Sequence, residues 1–232
     1  MMRSLCRLLG LTLPLTFTAL AIGQEPVFTP LFNGTDLSGW HLGKEVLHKQ
    51  PETPDKRFYA AGGILVLASK DKDGNKGGKH LVALREFSKD FILKLEFKAS
   101  QEAKAYLTVR NVQIPVGDYL RIGEQKHLKK VFKNDDWNEL EVTVKMVAHA
   151  DGRRMTDADH LEVSFQNGKA TAKVNGKSVD PNGISIWIEG SARVNGVHLQ
   201  HYPVHLITRG HVGLKSDDGK IEFRNIRFRE LP

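Results

Sequence analysis

Four histidines crowd the C-terminal third of the chain: His198, His201, His205 and, slightly further on, His211. On a helix the first three would share one face and could hold a zinc ion. Pro203 and the surrounding Val204, Leu206 and Ile207 favour strand and turn instead. On a strand His201 and His205 share a face while His198 opposes them. No glutamate occupies the His-Glu-x-x-His position that makes a hydrolytic zinc site specific, so no metal ligand is assigned and polar surface or loop packing is the leading reading. Nucleophile patterns are missing too, with no Gly-x-Ser-x-Gly elbow in the sequence. The glycines of the Lys70 to Lys79 loop lack the spacing and following helix of a phosphate cradle.

The elements that must position any chemistry begin after an export signal. Arg3 and Arg7 precede an apolar run from Leu8 to Ile22, and the small residues Ala19, Ala21 and Gly23 offer a cleavage site. The reading is a signal peptide over 1–23 and a single domain over 24–232, exported to the periplasm or secreted. The run is too short and Thr-rich for a comfortable membrane span of about 20 residues, so no membrane attachment is expected after cleavage. Cys6, the one cysteine, lies within the signal, which leaves the mature chain without thiol, disulfide or cysteine metal ligand. Without Arg3 and Arg7 the formal charge falls from +7 to about +5. Basic residues are interleaved with acids along the chain, and no basic stripe with stacking aromatics marks a nucleic-acid surface.

Period-two alternation dominates the domain. Phe91, Leu93, Leu95 and Phe97 alternate with Ile92, Lys94, Glu96 and Lys98. Leu140, Val142, Val144 and Met146 alternate with polar neighbours, as do Leu161, Val163 and Phe165. Each predicts a strand with one face on a core and one in water. Ile64–Leu67, Tyr106–Val109, Ile184–Ile188 and Val212–Leu214 are further strand candidates. Asn167-Gly168 and Asn175-Gly176 supply the positive φ angles of type I′ hairpin turns, predicting a three-stranded meander from about Leu161 to Val179. The fold class is all-β, two antiparallel sheets face to face. In the last strand Ile221 and Phe223 have one parity and Ile226 and Phe228 the other. Either the strand is buried on both faces, or a β-bulge near Arg224-Asn225 absorbs one residue and turns Asn225 inward toward backbone groups.

Three segments carry a family resemblance: Leu31-Phe32-Asn33-Gly34-Thr35-Asp36-Leu37-Ser38-Gly39-Trp40, then Asp136-Trp137-Asn138-Glu139-Leu140-Glu141-Val142, then Ile221-Glu222-Phe223-Arg224-Asn225-Ile226-Arg227-Phe228. In this order they resemble the bacterial 3-keto-disaccharide hydrolase family over roughly Val27 to Leu231. The resemblance implies a concanavalin A-like (jelly-roll) sandwich and a carbohydrate ligand or substrate. Within it, Trp40 is expected to pack in the core against the C-terminal strand. Trp137, opening a strand, is expected in the core rather than as a sugar platform.

The resemblance also nominates a site between Lys104 and Gln125. Arg110 matches the arginine that ends the family's Asn-Ser-Gly strand, and Glu124 stands in for a following Asp. The Asn-Ser-Gly itself is absent, the family's acid is replaced by Tyr119 or Leu120 depending on register, and its Gln by Arg121. The implied chemistry begins from a ketone at C3 of a sugar, which acidifies the proton on C2. A base removes that proton while the C1 oxygen leaves, and water later adds across the double bond. Such a site needs a base of near-neutral pKa, a cation or divalent metal for the enolate, and an acid for the leaving group. Glu124, Asp118 or Tyr119 are the proton-transfer candidates, and Arg110 and Arg121 the enolate and substrate contacts. Arg110 and Glu124 as an ordinary ion pair is the bland alternative, and a non-catalytic carbohydrate-binding module is the competing function.

Overall fold

The computed structural model describes residues 27–76, 79–110, 112–117, 127–156, 158–166, 168–199 and 208–232. The export segment with Cys6, the turn residue Asn167, His201 and His205 lie outside them, as do Asp118, Tyr119, Arg121 and Glu124. Among the described residues the strands in chain order are β1 (Thr29–Pro30), β2 (Trp40–Leu42), β3 (Glu45–Val46), β4 (Phe58–Ala61), β5 (Ile64–Ala68) and β6 (His80–Phe87). There follow β7 (Phe91–Ala99), β8 (Lys104–Val109), β9 (Val112–Pro115), β10 (Asn138–Ala150), β11 (Arg153–Arg154) and β12 (Leu161–Gln166). The chain ends with β13 (Lys169–Val174), β14 (Lys177–Val179), β15 (Ile184–Val194), β16 (Val197–His198), β17 (Gly210–Asp218) and β18 (Lys220–Glu230).

These strands build an all-β sandwich. One sheet runs β16-β15-β10-β7-β18-β5-β4, with β1 added on β18 and β11 on β10. The other runs β3-β2-β6-β17-β8-β9. One apolar cluster joins their inner faces, drawing Trp40, Leu81, Leu107 and Leu214 from the second sheet and Phe91, Leu93, Leu140 and Phe223 from the first. The alternation that predicts the strands explains this burial. Along β7 the inward parity belongs to Phe91, Leu93, Leu95 and Phe97, and all four side chains are buried.

 Ala99 completes that inward row, while Ile92, Lys94, Glu96 and Lys98 face out.

The two ends of the domain meet as expected. β1 pairs with β18, and the Leu31 and Phe32 amides both donate to the Ile226 carbonyl, at 2.8 and 3.4 Å. Trp40 is fully buried in the common cluster. The phase slip in β18 is a bulge: its register against β7 shifts between Arg224 and Arg227, and Ile221, Phe223, Ile226 and Phe228 are all buried. Asn225 does not turn inward. It is exposed, sits at φ 53°, and donates its side-chain amide to Glu96. The left-handed conformation that absorbs the extra residue aims this side chain outward, and an amide tolerates that region better than most.

Two further expectations are corrected. β10 runs on past the end of the sandwich, paired with β15 as far as Ala150, so Met146 meets no opposing sheet and is 53% exposed. The meander from Leu161 to Val179 forms, with Asn175 and Gly176 at φ 52° and 76°. It is a separate three-stranded sheet, however, and its apolar row is only half covered. Val174 is buried with Ala150 and Met155, whereas Val163 and Phe165 are exposed. The described part of the Lys70 to Lys79 loop is organised by buried Arg57, which donates to the Asn75 carbonyl at 2.7 Å and pairs with Asp71.

Candidate active site

The strand preceding the nominated segment is β8, and its outward residues are Tyr106 and Thr108. Register fixes their neighbours. Lys215 of β17 lies opposite Tyr106 on one side and opposite His80 of β6 on the other. Side chains directly opposite on adjacent strands share a face. His80, Lys215 and Tyr106 therefore form one row across the outer face of the six-stranded sheet. The next row runs His41, Val82, Gly213, Thr108 and Gln113. Gly213 forms a low, buried floor there, and the Thr108 hydroxyl oxygen is buried with no hydrogen-bond partner among the described residues.

The charges in the first row are set by neighbours. The Lys215 side chain is only 19% exposed, and its ammonium lies 2.7 Å from Asp217. Burial pushes the His80 imidazole below its ordinary value, and the Lys215 charge pushes it further down against a smaller opposing pull from Asp217. A neutral imidazole, an ammonium and a phenol thus stand side by side. With strands about 4.8 Å apart, the backbones at His80 and Tyr106 are separated by roughly 10 Å, with Lys215 between them.

Arg110 follows β8 directly. It sits at φ 57° just after β8, is 7% exposed, and donates to the Lys89 carbonyl at 2.8 Å beside the Phe91 ring. Burial lowers its pKa from the usual guanidinium value, with Asp90 opposing. A Cβ on Gly210 would stand 3.0 Å from the Arg110 Cα, so β17 begins tight against it. Glu124, Asp118, Tyr119 and Arg121 fall outside the described residues.

The two described histidines of the C-terminal group lie on different sheets. His198 ends β16 in the nine-stranded sheet and receives a hydrogen bond from Arg193, whereas His211 is in β17 of the other sheet. The His211 Nδ1 faces the Ala83 and Arg85 carbonyls at 2.9 and 3.1 Å. Among the described residues no three His, Cys, Asp or Glu side chains stand where they could hold a metal ion.

Comparison with known proteins decides the family. The sequence pattern of the 3-keto-α-glucoside-1,2-lyase-like domain matches residues 27–229, nearly the whole described chain. The chain belongs to this family. That makes it a carbohydrate-active type of β-sandwich. Solved structures similar to it include a proposed glycosyl hydrolase from Parabacteroides distasonis, 16% identical, covering 88% of this chain and 94% of its own, with a TM-score of 0.47. Another is the carbohydrate-binding module CBM66 of Bacillus subtilis, 12% identical, covering 84% and 95%, with a TM-score of 0.34. At such distances neither bears on what this chain binds. No curated protein matches.

Set in this family, the lyase-like domain shows what sequence reasoning missed. His80 and Lys215 were legible only as outward positions of alternating strands, in His80-Leu81-Val82-Ala83-Leu84 and His211-Val212-Gly213-Leu214-Lys215; nothing in the sequence alone gives the register that brings them together. The Trp-Asn-Glu motif also divides differently from expectation. Trp137 is half-buried at the surface, beneath the Arg224 guanidinium at 4.0 Å, and Asn138 is the buried member. Asn138 accepts from the Lys133 amide at 2.8 Å and donates to the Lys133 and Asp136 carbonyls at 2.7 and 3.0 Å, closing the turn before β10.

Proposed function

We propose that this chain is an exported enzyme, periplasmic or secreted, that cleaves 3-keto glycosides or disaccharides by elimination and hydration on the outer face of the six-stranded sheet. The observation that carries the reading is the row His80, Lys215, Tyr106, with the imidazole held neutral by burial and by the Lys215 charge. Neutral His80 accepts the proton from C2. The electrons move toward the C3 carbonyl, whose developing enolate oxygen is stabilised by the Lys215 ammonium. Tyr106 donates its phenolic proton to the departing C1 oxygen, leaving a C1–C2 double bond. Water then adds to C1, giving a proton to the Tyr106 phenolate, while protonated His80 returns its proton to C2, so that both groups are restored and the net result is hydrolysis. Glu124, Asp118 and Tyr119, with Arg121, remain the residues that the family resemblance nominates for proton transfer and substrate contact beside this row. Arg110 supports the row by anchoring the end of β8.

A non-catalytic carbohydrate-binding module is the second reading, favoured by one observation: Trp187 is 41% exposed and stacked on His149 at 4.8 Å, an aromatic platform without a role in the acid–base row. Turnover separates the two. Incubation with a 3-keto glucoside should release the free sugar, and Tyr106→Phe should slow release about 10²–10⁴-fold if the phenol is the acid. Saturable binding of an oligosaccharide with no release from any 3-keto glycoside would make the chain a binding module.

A further inference from the structure

The bulge in β18 has a second effect. Arg224 and Arg227 have opposite sequence parity, yet the register shift turns both outward, Arg224 opposite Glu96 and Arg227 opposite Lys94. They line a cleft of about 360 Å³ on the outer face of the nine-stranded sheet, with Trp137 as a wall and Lys133 at its rim. That volume lies at the small end of ligand cavities.

The charges inside are unequally matched. Glu96 is already engaged on both oxygens, by Arg224 at 2.6 and 2.7 Å and by the Asn225 amide. Burial raises its pKa, but those bonds and the charges of Arg224 and Arg227 together hold it below the ordinary glutamate value. Lys94 is paired with Glu141 at 2.9 Å. Arg227 spends one donor on the Asn225 carbonyl at 3.3 Å, and forms no close ion pair among the described residues, as does Lys133. Glu139 is the one lining acid left without an ion pair there, and it lies a row away from Arg227, opposite Glu96. The Arg227 end of the cleft is therefore cationic, with spare guanidinium donors, while the Trp137 indole lies beneath the Arg224 guanidinium.

We propose that in this carbohydrate-active chain the cleft binds a sugar bearing a carboxylate, its acid group on Arg227. A guanidinium presents paired donors that match a carboxylate's two oxygens. The site is on the opposite sheet from the acid–base row, so it is separate from the proposed catalysis.

The test is titration of the full mature chain with glucuronate, glucose and inorganic sulfate, read by tryptophan fluorescence and by nuclear magnetic resonance shifts of the Trp137 indole. Glucuronate should saturate, glucose should not at the same concentrations, and Arg227→Gln should weaken glucuronate about tenfold or more, as loss of a charge-assisted bond does. Lys133→Ala, in an exposed turn, should weaken it less while leaving the fold untouched. Turnover of a 3-keto glucoside should be unchanged in Arg227→Gln, so failure here and failure of the proposed activity are told apart. Equal binding of sulfate and glucuronate would reduce the cleft to a bare anion site and overturn the proposal. So would glucuronate binding that ignores Arg227→Gln, or no saturation at all.

Discussion

Deleting Asn225 tests the bulge, the feature on which both the core and the outward arginines depend. Arg224 lies opposite Glu96 and Arg227 opposite Lys94, so Asn225 and Ile226 together face the single residue Leu95. Deleting Asn225 removes the extra residue: Ile226 then follows Arg224 at an inward position, and Ile221, Phe223, Ile226 and Phe228 alternate with outward Glu222, Arg224, Arg227 and Arg229 along a regular strand. If Asn225 were not the residue the bulge absorbs, the deletion would turn Ile226 and Phe228, now 1% and 4% exposed, out to solvent. Full burial of each large apolar side chain contributes about 1.5–3 kcal/mol, so that outcome would cost about 3–6 kcal/mol, much of a whole-domain stability of the order of 5–15 kcal/mol. The assay is urea unfolding followed by circular dichroism, comparing midpoints at unchanged slope. The deletion should cost no more than about 1–2 kcal/mol, chiefly the Asn225 hydrogen bond to Glu96. Asn225→Gly, which keeps φ 53° accessible, should stay within about 1 kcal/mol of the parent. Asn225→Val places a β-branched residue in the left-handed region and should cost about 1–2 kcal/mol. A deletion variant that loses about 3–6 kcal/mol, or does not fold, would refute the reasoning.

Other outcomes follow from the same structure. Trp40→Ala should cost about 3–5 kcal/mol in the same unfolding assay, because the indole is wholly buried. Truncation before Ile221 removes the strand between β5 and β7 and should leave no cooperative transition. Asp159 accepts hydrogen bonds from Arg153, Thr156 and Asn175, which hold its carboxyl far below the ordinary 3.8. A depressed carboxylate stabilises above its unfolded value and loses that contribution as pH falls toward the folded one. Asp159→Asn should therefore lower the melting temperature at pH 7, and the gap from the parent should close progressively below pH 3.8; a gap independent of pH would contradict the assignment. Protein purified from the exported fraction should react with no thiol reagent, and one reactive thiol per chain would show that the segment with Cys6 is retained.

The sandwich was legible because its code is local. Alternation in β7 gives its inner and outer faces directly, and the parity break between Phe223 and Ile226 narrows β18 to a bulge or a strand buried on both faces. What alternation cannot give is where a core ends. Met146, Val163 and Phe165 carry the same pattern as their buried counterparts, but Met146 lies where β10 has run past its pairing with β7, and Val163 and Phe165 belong to the separate three-stranded sheet. The site was less legible for a related reason. His80, Lys215 and Tyr106 are far apart in sequence and come together only through the pairing of β6, β17 and β8. Asn225 shows the limit of composition: a polar residue interrupting an apolar strand can satisfy itself inward or outward, and the backbone angle decides.

The most direct test of the proposed chemistry is the rate of C2 proton exchange in a 3-keto glucoside dissolved in deuterated water, followed by nuclear magnetic resonance. This reads the first chemical step apart from leaving-group departure. The account predicts exchange well above the buffer rate. His80→Gln and Lys215→Ala should each slow it about 10²–10⁴-fold while remaining folded. The acid limb of the profile should fall below the ordinary imidazole value of 6.5, since a base with a depressed pKa is still neutral there. Exchange at the buffer rate in the parent protein, or exchange unaffected by both substitutions, would contradict it.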